Sequence, residues 1–388
     1  MTTTIDNEHK IFNVPNLRFP EFEGEWQETR LKEISKFSKE RLNSIELSCS
    51  NYVTTENMLQ DYKGIVSATN LPTNTNVVKF SKGDVLLSNI RPYLKKVWYA
   101  DRNGGCSADV FVFKALPICD SNFLHHVIAN DRFIKFVMGG AKGVKMPRGD
   151  KEQMITYKVG LPCIEEQKKI ANLLSLLDER ISTQNKIIED LKKLKCAIIE
   201  KLYSEIQGKE YLYGQLFEVV NKRNKQVEYS NILSASQEKG MVNRDDLNLD
   251  IQFERSNINT YKIVRAGDYV IHLRSFQGGF AFSDKLGVCS PAYTILRPNS
   301  LLEYGYLSYY FTSHRFIKSL IIVTYGIRDG RSINIEEWLN MKVIIPSKEH
   351  QLHTLKILRS LEGKIENEET YTICLSNQKQ YLLQQMFI

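Results

Sequence analysis

The chain carries a long, charged, helix-like stretch twice, once near its middle and once at its end. The first copy starts LPCIEEQKKIANLLSLLDER at Leu161, and the second starts IPSKEHQLHTLKILRSLEGK at Ile345, an offset of 184 residues. The P-x-x-E-x-Q residues that coincide are Pro162, Glu165 and Gln167 in the first copy and Pro346, Glu349 and Gln351 in the second. A repeat of this length predicts two equivalent structural units, so it constrains the fold more than any other feature.

The repeat extends far upstream of the helix-like stretches. KGDVLL at Lys82 lies over AGDYVI at Ala266 at the same offset, and Cys106-Ser107 lies one residue out of step with Cys289-Ser290. Two generic α/β domains with similar turns are the alternative that the sequence leaves open. The repeat favours four segments, namely a first globular domain at 1–160, a central helix at 161–207, a second globular domain at 208–344 and a C-terminal helix at 345–388.

Both long stretches have the heptad spacing of a helix that packs along an apolar seam. About 40 helical residues would extend ~60 Å, and a lone helix of this kind is marginal in water. The nearest partner for each helix is the other copy, packed antiparallel; a homodimer formed through these helices is the alternative. The predicted seam residues are Leu174, Leu177, Ile181, Ile188, Leu191, Ile198, Leu202, Leu358, Leu361, Ile365, Leu375, Leu382 and Met386.

Each repeat alternates short β-like runs and turn signals before its helical stretch, which is typical of a compact domain of ordinary size. The expected fold is therefore α+β, with two similar globular domains separated by two long antiparallel coiled-coil helices. Antiparallel pairing would place the domains at opposite ends of one rod and give the chain an internal pseudo-two-fold duplication.

The bulk composition is that of an ordinary globular protein, with 42% hydrophobic and 25% charged residues in 388. No apolar run reaches the ~20 residues of a membrane span and the first residues are too polar for a signal peptide, so we expect a soluble, cytoplasmic protein without membrane contact. Seven cysteines without a C-x-x-C pair predict neither a zinc cage nor a disulfide framework. The net charge of +7 favours a polyanionic partner such as nucleic acid.

Polar and basic residues cluster at matching places in the two repeats. Their side chains can reach the base edges or phosphates of nucleic acid, although any one of them is also an ordinary surface residue. The pairing of clusters therefore predicts a class of contact residue. The predicted DNA-binding residues are Lys39, Arg41, Ser88, Asn89, Arg91, Tyr93, Lys95, Lys96, Lys142, Lys145, Arg148, Lys222, Arg223, Lys225, Arg274, Ser275, Gln277, Arg328, Arg331 and Asn334.

Signals of catalysis are missing from the sequence. GGAKGVK at Gly139 lacks the spacing of a P-loop, no Rossmann fingerprint follows a strand, and His350 and His353 do not form an H-E-x-x-H pattern. A methyltransferase signature of the Asp/Asn-Pro-Pro-aromatic type is also missing. No catalytic residue and no metal ligand is therefore predicted for this chain.

With the duplication in hand, three stretches resemble the DNA-specificity subunits of type I restriction-modification enzymes. They are NVPNLRFPEFEGEWQETRLKEI near the start, LPCIEEQKKIANLLSLLDE at the central helix and IPSKEHQLHTLKILRSLEGKI at the last helix. The resemblance covers essentially the whole chain, and the two P-x-x-E-x-Q helix starts are its most specific motif. The second helix departs from the usual form of the family because it is polar at Glu368, Thr372 and Gln378.

The resemblance implies a non-catalytic subunit whose two target recognition domains each read half of a bipartite site on double-stranded DNA. The helices would form a spacer that docks two methylation subunits, and restriction-translocase subunits would join for cleavage. Those partners would use S-adenosylmethionine, ATP and Mg²⁺, and this chain would bind no cofactor. A rigid spacer would set the half-sites about one helical turn (~34 Å) apart. The rival interpretations are a scaffold that binds nucleic acid without sequence specificity and a stand-alone nuclease or methyltransferase.

Overall fold

The chain divides into two compact units, and both long helices pass from one unit into the other. Unit 1 runs to Lys186 and takes in Glu369–Ile388, and unit 2 comprises Ile187–Glu368. Across the part of the chain that the structure describes, no helix is both long and apolar enough to cross a bilayer. The structure is a computed structural model, and it describes residues 13–143, 145–236, 239–246, 255–272, 279–325 and 332–388.

Short strands and helices alternate along unit 1 before the first long helix, α5 (Ile164–Ser204). The strands are β1 (Gln27–Arg30), β2 (Ser35–Phe37), β3 (Arg41–Asn43), β4 (Tyr52–Val53), β5 (Asn76–Phe80), β6 (Val85–Ser88), β7 (Val97–Tyr99), β8 (Gly104–Cys106), β9 (Val110–Ala115) and β10 (Lys158–Leu161). The short helices are α1 (Leu31–Ile34), α2 (Ser121–Ile128), α3 (Asp131–Gly139) and α4 (Lys151–Met154), with 3₁₀ turns at Ser44–Glu46 and Pro92–Leu94.

Unit 2 follows the same plan and ends in the second long helix, α10 (Lys348–Gln385). The strands are β11 (Lys209–Leu212), β12 (Phe217–Val220), β13 (Leu233–Ser236), β14 (Gly240–Asn243), β15 (Lys262–Val264), β16 (Tyr269–Ile271), β17 (Phe280–Phe282), β18 (Gly287–Cys289), β19 (Thr294–Pro298), β20 (Thr324–Tyr325), β21 (Ser332–Ile333) and β22 (Lys342–Ile345). The short helices are α6 (Tyr213–Leu216), α7 (Tyr306–Tyr310), α8 (His314–Ser319) and α9 (Ile335–Leu339), with 3₁₀ turns at Arg244–Asp246, Arg255–Thr260 and Leu320–Val323.

The same sheets recur in the two units. The central antiparallel sheet has the order β2-β9-β6-β7 in unit 1 and β12-β19-β16-β17 in unit 2. A two-stranded antiparallel ribbon, β1-β10 or β11-β22, precedes the long helix of each unit. The remaining strands differ, since β3-β5-β8-β4 form one sheet whereas β13-β14 and β15-β18 pair separately. The predicted α+β class and the predicted duplication are confirmed.

The Gly-Asp pairs form equivalent turns in the two central sheets. Gly83 and Gly267 adopt φ values of 90° and 96°, which side chains rarely tolerate. Asp84 and Asp268 each accept a hydrogen bond from the backbone amide three residues upstream, at 2.8 and 2.9 Å. The repeated sequence pair thus encodes one turn, used twice.

The glutamine of each P-x-x-E-x-Q pattern fastens the first turn of a long helix to its own domain. The side-chain carbonyl of Gln167 accepts from the Asp120 amide at 2.8 Å, and its amide donates to the carbonyls of Ile118 and Pro162 at 3.1 and 2.9 Å. The equivalent partners of Gln351 are Glu303 at 2.8 Å, Leu301 at 3.0 Å and Pro346 at 3.1 Å. Both glutamines are buried, so each replaces water in satisfying three backbone groups.

Within each unit, a charged pair joins half of α5 to half of α10. In unit 1 Lys379 pairs with Asp178, and in unit 2 Lys195 pairs with Glu362. The repeat offset relates Asp178 to Glu362 and Lys195 to Lys379, so the two pairs are equivalent with the helices exchanged. Polar seam positions therefore meet carboxylates, which favours one register of the helices.

The helix halves run antiparallel in each unit. In unit 1 Leu174 shares a core with Leu383 near the end of α10, whereas Arg180 further along α5 donates to the Tyr371 hydroxyl at 2.9 Å. In unit 2 the order is again reversed, because Lys195 pairs with Glu362 while the later Tyr203 shares a core with the earlier Leu355. All the predicted seam residues are at least partly buried.

Candidate nucleic-acid interface

The Ile90–Lys96 segment follows β6 and forms a tight turn at the surface of unit 1. Pro92 is buried and starts the 3₁₀ turn, and Arg91 and Lys95 on either side of that turn are left-handed, with φ values of 51° and 53°. Such backbone costs a non-glycine residue free energy, so it persists only where surrounding contacts enforce it.

The Lys142–Arg148 segment, also predicted to bind DNA, lies directly against this turn. The Arg91 amide donates to the Pro147 carbonyl at 2.8 Å, and Ile90 forms an isolated antiparallel β-bridge with Arg148. The two ends of the segment also bridge each other. Two clusters that lie about 50 residues apart in the sequence therefore form one surface, which we call the unit 1 basic surface (Ile90–Lys96 and Lys142–Arg148).

Several cations of the unit 1 basic surface are held by partners inside the unit. The contacts are Lys95 with Asp131 at 2.8 Å, Lys96 with the Thr55 carbonyl at 2.6 Å, Lys142 with Asp150 at 2.7 Å and Arg148 with Asp109 at 3.1 Å. The Lys142 ammonium and two backbone amides of α4 lower the pKa of the Asp150 carboxyl. Exposed ion pairs contribute little free energy, so they orient a cation without preventing a contact with phosphate.

Three other side chains of this surface have no internal partner among the residues that the structure describes. Arg91 and Lys145 are exposed, and Tyr93 is 47% exposed at the tip of the turn. The surface thus offers a free guanidinium, a free ammonium and a free aromatic ring.

Two residues predicted to contact DNA are buried instead and stabilise the turn from inside the unit. Ser88 is completely buried, and its hydroxyl donates to the Ile90 carbonyl at 3.1 Å. Asn89 is 9% exposed, and its backbone carbonyl oxygen accepts a hydrogen bond from the Gly149 amide at 3.3 Å. Since all four residues of β6 are buried, the predicted contact of Ser88 with DNA is wrong for this conformation.

Lys39 and Arg41 lie at the surface where β2 leads into β3. Glu40 between them accepts a hydrogen bond from Lys114 at 2.7 Å, which lowers the pKa of the Glu40 carboxyl. Because this carboxylate is engaged by Lys114, the cations on either side keep solvent-facing positive charge. Their contact with DNA stays a prediction.

In unit 2 the segment after β12 forms a basic loop, Asn221–Glu228. Asn224 is buried and closes the loop, because its side-chain amide donates to the Tyr229 carbonyl at 2.8 Å and its carbonyl accepts from the Tyr229 amide at 3.2 Å. Val227 is left-handed, with φ of 53°, which is unusual for a β-branched residue. The predicted contact residues that this loop exposes are Lys222, Arg223 and Lys225.

The basic loop lines an open groove of about 480 Å³ together with Ile263. Its three cations outnumber its single carboxylate, Glu228. The pKa of nearby Lys262 is lowered, mainly by burial and in part by the positive charge of Arg223. The groove therefore presents a positive field to an anionic partner.

Asn334 has a structural role in addition to its predicted contact with DNA, which stays a prediction. Its carbonyl oxygen accepts from the amides of Glu336 and Glu337 at the start of α9, and its amide donates to the Glu337 carboxylate at 3.0 Å. This is the usual chemistry of an N-cap. The predicted contacts that lie outside the described residues are Arg274, Ser275, Gln277, Arg328 and Arg331.

The sequence interpretation did not identify Asp109, Asp131 and Asn224, which orient the exposed groups. No sequence signal marks the two aspartates, because their partners are distant in the chain. Within the described ranges, no group of three or more potential metal-binding side chains occurs. Exposed cations and an aromatic ring on a rigid support are suited to binding nucleic acid.

Comparisons with known proteins agree with this geometry. The sequence profile of the type I restriction modification DNA specificity domain matches residues 23–193. The specificity subunit of the type I restriction enzyme MjaVIII from Methanocaldococcus jannaschii is 25% identical, with 92% of this chain and 90% of that protein aligned.

Two solved structures share the fold. A chain from a study of complex assembly and conformational transition in the type I R-M system has a TM-score of 0.59 at 17% identity, covering 92% of this chain and 96% of that one. The S subunit of a type I restriction-modification system from M. genitalium has a TM-score of 0.57 at 15% identity, covering 97% and 99%.

The duplicated α+β domains and their antiparallel helices define a protein built like an S subunit. The match to the specificity-domain profile and to a curated specificity subunit points to the same class of protein. Residues 23–193 carry the type I restriction modification DNA specificity domain, and the similarity to curated specificity subunits supports the function of a DNA sequence-specificity subunit.

Proposed function

We propose that each unit reads one half of a bipartite site on double-stranded DNA and that the long helices set the distance between the halves. The duplication is the observation that carries this proposal. Each unit has the same central sheet, and each exposes cations directly after the first strand of that sheet, at Lys39 and Arg41 or in the Asn221–Glu228 loop. Equivalent readers on one chain would add their binding energies on one duplex.

The two half-sites should differ in sequence. The second sheets of the units are built differently, and Arg91-Pro92-Tyr93 is matched in the sequence by Arg274-Ser275-Phe276. Side chains of different shape and hydrogen-bonding capacity select different base pairs. The recognised site is therefore asymmetric.

Specificity subunits of type I systems work with methylation and restriction subunits and bind DNA. For this chain we propose two methylation subunits, docked on the long helices, where Leu176, Ile187 and Leu194 are exposed beside the seam. Leu173 and Ile199, also beside the seam, pack into their own units. In this assembly the chain performs no chemistry; its partners use S-adenosylmethionine, ATP and Mg²⁺ on DNA in the cytoplasm.

The proposal is tested by expressing this chain with its methylation subunit and sequencing the methylated adenines of the host. The expected motif has two short fixed blocks of different sequence with an unspecified spacer between them. A continuous motif, or methylation without a motif, would contradict the proposal. Binding of the purified complex to matched and scrambled duplexes at one fixed salt concentration separates specific reading from a non-specific scaffold.

A further inference from the structure

We propose that the Ile90–Lys96 turn is the base-reading element of unit 1 and that Arg91 and Tyr93 are its specificity-determining residues. This inference rests on the proposed function, because it presumes that unit 1 reads one half-site. It divides the predicted contact residues into those that read bases, those that touch phosphates and those that hold the turn.

Backbone strain is concentrated at this turn. Six non-glycine residues in the described ranges have positive φ, and four of them are Arg91, Lys95 and the adjacent pair Asp61 and Tyr62. The two left-handed segments meet, since the amide of Asp61 donates to the Leu94 carbonyl at 3.1 Å and the amide of Tyr62 donates to the Lys95 carbonyl at 3.0 Å. Strained backbone of this kind is concentrated at functional sites, where it fixes the positions of the side chains that contact a ligand.

Side chains reinforce the same arrangement from a third element, α3. Its first residue, Asp131, accepts from the Lys95 ammonium and, at 3.0 Å, from the Tyr62 hydroxyl. Pro92, the first residue of the 3₁₀ turn, is buried, and the Arg91 amide donates a hydrogen bond to the Pro147 carbonyl. The backbone that carries Arg91 and Tyr93 is thus held from several sides, so little conformational entropy remains to be lost on binding.

The two free side chains have the chemistry of direct base reading. The guanidinium of Arg91 presents a planar fork of donors that matches the O6 and N7 acceptors of guanine in the major groove. The ring of Tyr93, two residues further on, offers a rigid apolar face to a neighbouring base edge, such as the methyl group of thymine. Neither side chain has a partner among the described residues of unit 1 that would compete with a base.

The other free cation, Lys145, suits a phosphate. It is exposed in the Lys142–Arg148 segment beside the turn, and its flexible side chain carries a point charge without the planar fork of an arginine. Contacts of this kind add affinity without sequence information. Arg91 and Lys145 therefore make opposite predictions for specificity and for salt dependence.

The test uses the full chain expressed with its methylation subunit. Arg91→Gly removes the guanidinium and suits the left-handed backbone, Arg91→Lys keeps the charge without the fork, Tyr93→Ala removes the ring, and Lys145→Ala removes the proposed phosphate contact. Lys32→Ala, an exposed cation on α1, is the matched control. Adenine methylation is sequenced genome-wide, and binding to duplexes that differ at one base pair is measured at several salt concentrations.

Each Arg91 variant is expected to lose about 5- to 160-fold of discrimination at one base pair of one half-site and to leave the other half-site unchanged. Tyr93→Ala should relax an adjacent position. Lys145→Ala should weaken binding to all duplexes alike and reduce the salt slope by about one. A wild-type complex without a split motif would refute the proposed function. A split motif that both Arg91 variants and Tyr93→Ala leave fully specific would overturn this inference alone, and Arg91→Lys decides the matter should Arg91→Gly fold poorly.

Discussion

Gln167→Ala should destabilise unit 1 by about 2 to 4 kcal/mol, because one buried side chain satisfies three backbone groups there. The substitution removes an acceptor for the Asp120 amide and donors to the carbonyls of Ile118 and Pro162. Each hydrogen bond contributes about 0.5 to 1.5 kcal/mol net, and the buried groups left behind add a desolvation cost. Gln351→Ala should have a similar effect on unit 2, since its three bonds are equivalent.

Hydrogen exchange measured by mass spectrometry is the appropriate assay, because it reports the opening of each unit separately. Gln167→Ala should speed exchange in α2 and in the first half of α5, by about 30- to 900-fold for the expected free energies. Gln378→Ala provides the control, because the same atoms are removed from an exposed position of α10, with an expected change within about 0.5 kcal/mol. If the exchange rates of the Gln167→Ala variant match those of the Gln378→Ala variant, Gln167 does not fasten α5 to its domain.

Three further perturbations test a Gly-Asp turn, a buried carboxylate and the partly buried His125. Gly267→Ala should destabilise unit 2 by about 1 to 2 kcal/mol, measured by urea unfolding, because an alanine at φ of 96° is strained. An unchanged midpoint of unfolding would contradict the proposed need for a left-handed glycine in the Gly267-Asp268 turn. Arg297→Ala should lower the free energy of unfolding by about 2 to 3 kcal/mol in the same assay. The substitution removes both hydrogen bonds that this guanidinium makes to the buried carboxylate of Asp268, at 2.9 and 2.8 Å. A loss below ~0.5 kcal/mol, which is the range of an ordinary surface change, would count against a structural pair. Burial lowers the pKa of His125 to about 3, below its unfolded value of about 6.5, so the unfolded state binds more protons between these values and stability falls as pH falls. Wild type should lose about 2 kcal/mol more than His125→Gln between pH 7 and pH 5, and equal losses would refute that titration.

The helices and turns could be predicted because their signals are local and occur twice. A Gly-Asp pair or a P-x-x-E-x-Q pattern specifies its own backbone, and a second copy at a constant offset excludes most accidental matches. The charged pairs between α5 and α10 also follow from the repeat, since Asp178 and Lys379 reproduce the positions of Glu362 and Lys195. The sequence alone did not reveal them because pairing depends on which residues face each other across two helices.

The site was less predictable because a polar residue type does not report burial. Ser88 was expected at the surface, yet β6 is buried on both faces and its hydroxyl turns inward. Asn334 was grouped with basic residues, although an asparagine followed two and three residues later by glutamates is a recognisable N-cap signal. Asp109 acquires its role only through the fold, which brings Arg148 beside it.

Independent reading of DNA by the two units can be tested by exchanging residues 1–160 for the matching segment of a relative with a known, different motif. The exchanged chain is expressed with the same methylation subunit, and the methylated adenines are sequenced. We expect one half of the bipartite motif to change to that of the relative, with the other half and the spacer length unchanged. A change in both halves, or in neither, would contradict independent reading by the two units.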